Sequence, residues 1–419
     1  MILVSLLLLA LAIFGAPLFA IIATSAMVGY HGEEIDLMSI AIEIAGLAGM
    51  PFLAAIPLFT FAGYLLSESA APSRLVRASD ALLGWMPGGL ALVSLAACAL
   101  FTAFTGASGV TIIALGAILY PALREGGYPE RFNLGLVTTS GSLGLLFAPS
   151  LPLILYGVVA EVSIDDLFRA GVLPGVLMLL MLSAYSLWIG RRSDQPLQPF
   201  SFRELAQALY ESRWEIPLPF VVLGGIYSGF FAVSEAAAIT ALYVLIVEVF
   251  VLKEVPLREL PRVMRESMLL VGGILIILGV SLASTNYMID AGVPQQLLAY
   301  VAGFVEGQLS FLALLLVFLL VLGAILDIFA AIVLVVPLIL PIAAQYDVNA
   351  IHLGIVFLAA MQLGYLTPPV GLNLFIASYR FEQPIMRVYS ATLPFLLILM
   401  VSVIVITYWP QLSLFLVSK

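Results

Sequence analysis

Two apolar stretches are interrupted at their centres by glycine and proline: Leu143-Gly144-Leu145-Leu146-Phe147-Ala148-Pro149-Ser150 and Leu363-Gly364-Tyr365-Leu366-Thr367-Pro368-Pro369-Val370. Proline lacks a backbone donor and clashes with the preceding turn, so each stretch is expected to split into two half-helices. The surroundings make such breaks expensive. Of the 419 residues, 63% are hydrophobic and only 10% charged, where soluble chains carry about 25% charged residues. A mean hydropathy of +1.17 and repeated apolar runs long enough to span a bilayer imply an all-α polytopic membrane protein. In hydrocarbon, a broken helix persists only where protein or a polar cavity takes up its freed carbonyls. Two broken helices in corresponding halves of a chain point to a transporter's binding site.

Composition excludes several other classes. Cys98 is the only cysteine, so no intrachain disulfide and no cysteine-based metal site is expected, and His31 and His352 alone do not build a histidine centre. No basic footprint for nucleic acid is present. The formal charge of −9 says little, because in a membrane protein the placement of charge matters more than its sum. The stretch 2–28 has no basic residue before it and is too long for a signal-peptide core, so it reads as a retained first span.

Along the chain, the spacing predicts a short interfacial helix over 37–50, a span from 51 to 67, and an amphipathic interfacial helix over 72–84 carrying Arg74, Arg77 and Asp80. Residues 88–123 are apolar at both arms, with Thr102, Thr105, Gly106, Ser108 and Gly109 between them. The alternatives are two ordinary spans with a turn in water, or a re-entrant helical hairpin with its tip inside the membrane. The uncharged midpoint favours the hairpin. The first broken helix follows at 132–160, then a span at 171–190 and the polar segment 191–215. Further spans are expected at 216–232, 233–252 and 267–288. A second hairpin covers 308–344 with Gly323 and Asp327 at its middle, the second broken helix 350–378, and a last span 391–410.

The two halves repeat. Pro121 and Pro341, Gly144 and Gly364, Pro149 and Pro369, and Pro174 and Pro394 are each 220 residues apart. Alternating spans and hairpins puts every Lys and Arg except Arg169 and Lys419 on one side, which the positive-inside rule makes cytoplasmic. The first hairpin then opens from inside and the second from outside. The chain is thus expected to comprise a first inverted repeat at 1–190, a cytoplasmic linker and connecting span at 191–232, and a second inverted repeat at 233–419.

These residues carry a resemblance. Ala55-Ile56-Pro57-Leu58-Phe59 with Ala62-Gly63, Thr105-Gly106-Ala107-Ser108-Gly109, Ser140-Gly141-Ser142-Leu143-Gly144, Ala148-Pro149-Ser150-Leu151-Pro152 and Tyr156-Gly157 form the first group. Gly225-Ile226-Tyr227-Ser228-Gly229, Ser234-Glu235-Ala236-Ala237-Ala238 and Leu366-Thr367-Pro368-Pro369-Val370-Gly371-Leu372-Asn373 form the second. Together they resemble the large membrane subunit of tripartite ATP-independent periplasmic (TRAP) transporters over nearly the whole chain. Ala148 stands where proline is common in that family, Ala107 where serine is common, and Phe329 where a small or hydroxyl residue is usual. The resemblance implies a multi-pass protein of the bacterial inner membrane that imports a small organic acid with sodium as coupling ion and no organic cofactor. It also implies a small four-span membrane subunit and a periplasmic solute-binding protein as partners, and an elevator motion of hairpins and broken helices against a scaffold.

Sodium prefers oxygen ligands, which unwound backbone and hairpin tips supply. In the second half the candidates are Gly323, Gly364, Thr367 and Val370. The 220-residue spacing carries these to Ala103, Gly144, Phe147 and Ser150, with Thr102, Thr105 and Ser108 of the first hairpin completing that set. The alternative is that the glycines allow close helix packing and the hydroxyls bond within their own helices. Asp327, Asn373 and Ser140 are candidate substrate contacts. A carboxylate at mid-membrane costs about 2.5–3.5 kcal/mol on insertion scales, so Asp327 is expected to face a cavity or an ion, or to cap the helix after it. Two rival functions stay open: a stand-alone sodium–dicarboxylate symporter, and an intramembrane hydrolase, for which no H-E-x-x-H motif occurs.

Orientation is testable directly. In a Cys98→Ala background, a cysteine at Ser193 should react with membrane-impermeant reagents only from the cytoplasm and one at Gly32 only from outside. Reversed labelling would invert the whole assignment.

Overall fold

The computed structural model describes residues 7–417 apart from positions 9, 12, 13, 48, 51, 52 and 192–198. Ser193 therefore lies outside the described residues. Among those described, the regular structure is all helical. Five helices are long and apolar enough to cross a bilayer, and a pair bent by 43°, Glu130–Leu146 with Leu151–Val159, makes a sixth. Large side chains such as Leu180, Leu242, Leu269 and Val317 are exposed on the outside, as lipid-facing helices require.

Both hairpins form. The first has arms Gly89–Thr105 and Ser108–Ala114, the latter continued by Gly116–Glu125. The second has arms Gln308–Gly323 and Ile328–Gln345. At 1.5 Å per residue, the arms of the second are about 24 and 27 Å long, slightly less than a hydrocarbon core of about 30 Å. Each hairpin is followed by its broken helix: Glu130–Ser140 and Leu151–Val159 in the first half, Ala350–Gly364 and Leu372–Arg380 in the second. Ser163 and Asn349 begin helices as side-chain caps, accepting from Asp166 N at 3.2 Å and from Ile351 N at 2.8 Å.

The N-terminal stretch departs from a single span. Residues 14–15 turn, Gly15 has φ +85°, and Pro17 precedes a fresh helix, Leu18–Gly32. Proline there ends one helix and starts the next.

Two bodies of helices pack together. Helices Leu18–Gly32, Met38–Leu47 and Ala55–Glu68 pack on the long helix Leu260–Asp290, Val233–Leu245 packs on Ala55–Glu68, and Pro217–Tyr227 packs on Val233–Leu245. The hairpins and broken helices form the other body. Its centre is Ala350–Gly364, buried on nearly every side and flanked by Ile164–Gly190, Gln308–Gly323, Ile385–Tyr408 and Ile328–Gln345. Within this body the contacts cross over between halves. Leu151–Val159 packs on Ile328–Gln345, and Leu372–Arg380 packs on Ser108–Ala114. Tyr156 Oη donates to Ala350 O at 2.7 Å, and its ring lies over Gly354.

At one pole the loops assigned to the basic side are tied together by ion pairs. Arg74 engages Glu254 and Glu215, with Nε donating to Glu215 Oε1 at 2.7 Å, and its guanidinium lies 3.6 Å from Glu248. Arg262 joins Glu68, Glu259 and Glu266, and Arg387 reaches Glu130 at 2.7 Å. Glu235 acts at the start of its span as a cap, its Oε2 accepting from Ala232 N at 3.0 Å.

The side chains of Glu215 and Glu248 are 4% and 1% exposed, so Arg74 is the charge that makes their burial tolerable. Removing one partner of a buried pair costs about 3–5 kcal/mol. Arg74→Ala should therefore lower the melting temperature and the yield of folded protein in detergent, and adding Glu248→Gln should restore part of the loss. An unchanged melting curve would show that the pole is held by other contacts.

Candidate functional site

The site is built from two hairpin tips and two helix breaks. In the first tip the arm ends at Gly106, whose φ of +63° suits glycine and whose Cβ, if present, would lie 2.5 Å from Leu151 Cγ. Ala107 is extended and Ser108 starts the return arm. In the second tip Asp327 is the cap: its Oδ1 accepts from Phe329 N at 2.9 Å and Ala330 N at 3.1 Å. The Tyr365 hydroxyl oxygen accepts from the next free donor, Ile328 N, at 2.9 Å, which leaves its own proton available. Three orphan donors of that helix are thus satisfied without water.

The breaks lie at 147–150 and 365–371, and the Ala148–Pro149 and Pro368–Pro369 peptide bonds are both cis. The second break is joined to the second tip, Gly371 N donating to Ala324 O at 3.3 Å. Glycine sets the spacing in both halves. A Cβ on Gly364 would lie 2.4 Å from the carbonyl carbon of Gly323, and one on Gly144 would lie 2.5 Å from Ala103 N. Gly144 and Gly364 thus let each hairpin's first arm touch the backbone of its broken helix.

These parts meet on one cavity of about 220 Å³. Gly106, Ala107, Ser108, Gly109 and Val110 come from the first tip, and Asp327, Ile328 and Phe329 from the second. Tyr365, Leu372 and Ile376 of the second broken helix, Leu145 of the first, and Tyr64 and Leu270 of the other body close it. Among the described residues, Asp327 is the only charged side chain on its wall.

The sequence-predicted residues fall into three groups. Ser108 and Asp327 line the cavity. Ala103, Gly144, Gly323 and Gly364 form the two close backbone contacts. The remaining residues make local contacts or lie at neighbouring positions. Ser150 Oγ donates across its break to Leu145 O at 2.5 Å, and Thr367 Oγ1 donates to Leu363 O at 3.1 Å. The Phe147 ring covers Gly175, while Val370 is exposed beside Gly371. Ser140 Oγ donates to Val137 O at 3.3 Å. Asn373 lies where the broken helices cross, Nδ2 donating to Thr138 O at 3.4 Å.

Some polar atoms near these parts are unmatched. Thr102 Oγ1 donates to Gly141 O at 2.9 Å and lies 2.7 Å from Thr111 Oγ1. By contrast, Thr105 Oγ1, Thr139 Oγ1 and Asn373 Oδ1 are buried without a hydrogen-bond partner. Buried polar atoms are ordinarily paired, so these are sites of unused bonding capacity. Sequence reasoning missed Tyr64 and Tyr365 as cavity residues. The signal for Tyr64 was the adjacent Gly63, whose Cβ would meet Thr105 Cα at 2.6 Å and which brings helix Ala55–Glu68 onto the first tip. Tyr365 follows Gly364 inside the break itself.

An all-helical chain with apolar spans, whose hairpin tips and second helix break line one small cavity, has the build of a membrane permease. Residues 2–412 match the family described as tripartite ATP-independent periplasmic transporter, DctM component, and the chain belongs to that family. It is 34% identical over 380 residues to the C4-dicarboxylate TRAP transporter large permease protein DctM of Pseudomonas aeruginosa, covering 90% of this chain and 89% of that protein. It is 32% identical over 365 residues to the ectoine/5-hydroxyectoine TRAP transporter large permease protein UehC of Ruegeria pomeroyi, covering 87% and 85%. Among solved structures, the Alcanivorax borkumensis YdaH transporter has the same fold, with a TM-score of 0.63 at 13% identity over 89% of this chain and 87% of that one. The chain is an integral protein of the inner membrane, and membership in a permease family removes the intramembrane-hydrolase alternative.

The glycine contact gives a stability test. Gly364→Ala forces the Gly323 backbone to move, and overpacking of this kind costs about 1–3 kcal/mol. Gly272→Ala, in the long helix with nothing within 4 Å of the added carbon, should be neutral or stabilising by about 0.5–1 kcal/mol. Melting curves of the two variants should therefore move in opposite directions or differ clearly in size.

Proposed function

We propose that the chain carries a small organic acid into the cell by sodium-coupled secondary transport. In this proposal a periplasmic solute-binding protein delivers the acid, and a small four-span membrane subunit completes the carrier. The observation that carries it is the convergence of both tips, the second break and Leu145 beside the first on one cavity. Moving that cavity across the membrane exposes a single site to each side in turn. The hairpins and broken helices are the moving body, and the helices around Leu260–Asp290 are the scaffold of an elevator. The repeats at 1–190 and 233–419, inverted and joined through 191–232, give the two hairpins access from opposite sides.

Sodium is assigned to the breaks. Thr105 and Ser108 with backbone at Ala103, Gly144, Phe147 and Ser150 form one set of oxygen donors, and Gly323, Gly364, Thr367 and Val370 the other. The unpartnered Thr105 Oγ1 supports the first set. Both glycine carbonyls at the breaks accept only a single short-range backbone bond, Gly144 O from Phe147 N at 3.0 Å and Gly364 O from Thr367 N at 2.9 Å, and a carbonyl has two lone pairs. Substrate is assigned to Asp327, Asn373 and Ser140, with helix N-termini at the tips favouring a carboxylate. Relatives named for C4-dicarboxylate and sialic acid transport support an acid.

The test is uptake into proteoliposomes holding this chain and its small subunit under an inward sodium gradient. Uptake should require sodium and rise when loaded binding protein is added. Uptake that ignores the binding protein would favour a stand-alone symporter. Thr367→Val keeps the shape and removes one oxygen, so half-saturating sodium should rise several-fold at similar expression. Unaltered sodium dependence would remove Thr367 from the site.

A further inference from the structure

We infer that the Phe329 ring is a partition inside the site and sets the size of solute that the carrier accepts. This rests on the import function proposed above and names a residue that governs the specificity of that same site.

Two cavities meet at the second tip. One is the cavity of about 220 Å³ enclosed by both tips and the second break. The other is a crevice of about 240 Å³ between that tip and the long helix Leu260–Asp290, with Leu269, Gly273, Ile274 and Ile277 on the helix side. Leu270, Asp327 and Phe329 belong to both walls. Residues shared by two adjoining cavities are what keeps them apart. Leu270 comes from the other body, and Asp327 is a short side chain engaged in its cap through Oδ1. Phe329, half-buried, has the largest side chain of the three.

The backbone that carries this ring is held in place. Ile328 N donates to Tyr365 Oη at 2.9 Å, and Phe329 N and Ala330 N donate to Asp327 Oδ1 at 2.9 and 3.1 Å. Three consecutive donors are thus pinned, which fixes the Phe329 Cα and leaves rotation about the side-chain bonds as its freedom. All three bonds are made by backbone groups at 328–330, so a substitution at 329 preserves them. Beyond the ring there is room: a Cβ added to Gly273, in the crevice, would meet nothing within 4 Å. Each cavity alone is smaller than the roughly 300–1,000 Å³ usual for small-molecule sites, and the two joined fall inside that range. The ring therefore holds the site to compact solutes, and a smaller residue at 329 admits bulkier ones.

The experiment measures entry by size in the full-length chain in lipid nanodiscs, with Cys98→Ala as background. Val110→Cys places a thiol on the wall of the first cavity, and Gly273→Cys places one in the crevice. The probes are methyl and benzyl methanethiosulfonate, which share one chemistry and differ in bulk. With Phe329 in place, Val110→Cys should react readily with the methyl reagent and slowly with the benzyl one. Phe329→Ala should raise the benzyl rate about tenfold, the effect of lowering an entry barrier by about 1.4 kcal/mol, and leave the methyl rate nearly unchanged. Phe329→Leu, which keeps an apolar contact, should fall between. Both rates at Gly273→Cys should change little. In sodium chloride, succinate should slow labelling of Val110→Cys with either residue at 329, and the bulkier N-acetylneuraminate only with Phe329→Ala.

An unchanged benzyl rate at Val110→Cys in Phe329→Ala would overturn the inference and leave the import function standing. Protection of the Phe329 protein by N-acetylneuraminate would overturn it as well. Should Phe329→Ala fail to fold, the benzyl rate in Phe329→Leu decides in the same direction. Protection by neither acid in either protein would count against the import function, while the benzyl rate still decides the partition.

Discussion

Every feature of the central body depends on how backbone polar groups are satisfied where water is absent. An intact helix meets that requirement within itself, and a broken one does not. This chain breaks two helices near their centres and then surrounds each break with other backbone. Ser150 bonds across the first break to Leu145 O, and Gly371 N bonds from the second to Ala324 O in the neighbouring tip. Asp327 and Tyr365 between them satisfy three donors at the start of the second return arm. The tips are therefore structural partners of the breaks as well as walls of the cavity. A polar group left over after this pairing is available to a ligand, and Thr105 Oγ1 and Asn373 Oδ1 are of that kind.

Close approach is what makes such pairing reachable, and small residues control it. Gly144 against Ala103 and Gly364 against Gly323 bring each first arm to backbone contact with its broken helix, a device common where helices pack in lipid. The crossed packing then links the halves. The second part of each broken helix rests on the return arm of the other half's hairpin, so neither half encloses a site alone. The other body is held differently, by long apolar helices and by an ionic pole centred on Arg74 and Arg262. Packing and backbone contact join the hairpins and broken helices, and ion pairs join the helices of the other body.

Much of this architecture was legible in the sequence because membrane burial leaves few choices. Glycine and proline inside apolar runs located both breaks, and uncharged midpoints with hydroxyls or a lone Asp327 located both tips. Those features act through local backbone chemistry, which needs no knowledge of neighbours. The N-terminal stretch shows the limit. Gly15 and Pro17 divide it, but so short an interruption is hard to weigh against a long hydrophobic run.

The cavity wall was a different matter. Asp327 and Ser108 could be named in advance because a polar residue at membrane depth needs a reason. Tyr64 and Tyr365 could not, since a tyrosine on an apolar helix has the same sequence signature whether it faces lipid, core or ligand. Ser140 and Ser108 illustrate the same point from opposite sides: both are serines near a predicted site, yet one bonds within its helix and the other lines the cavity. The sequence by itself determined that the chain lies in a membrane, where its helices break and where its hairpins turn, because local backbone chemistry and the cost of burying charge govern those outcomes. Only the tertiary structure decided that six separate segments share one cavity with, among the described residues, a single carboxylate on its wall, because that depends on contacts between residues more than 200 positions apart whose faces no local periodicity records.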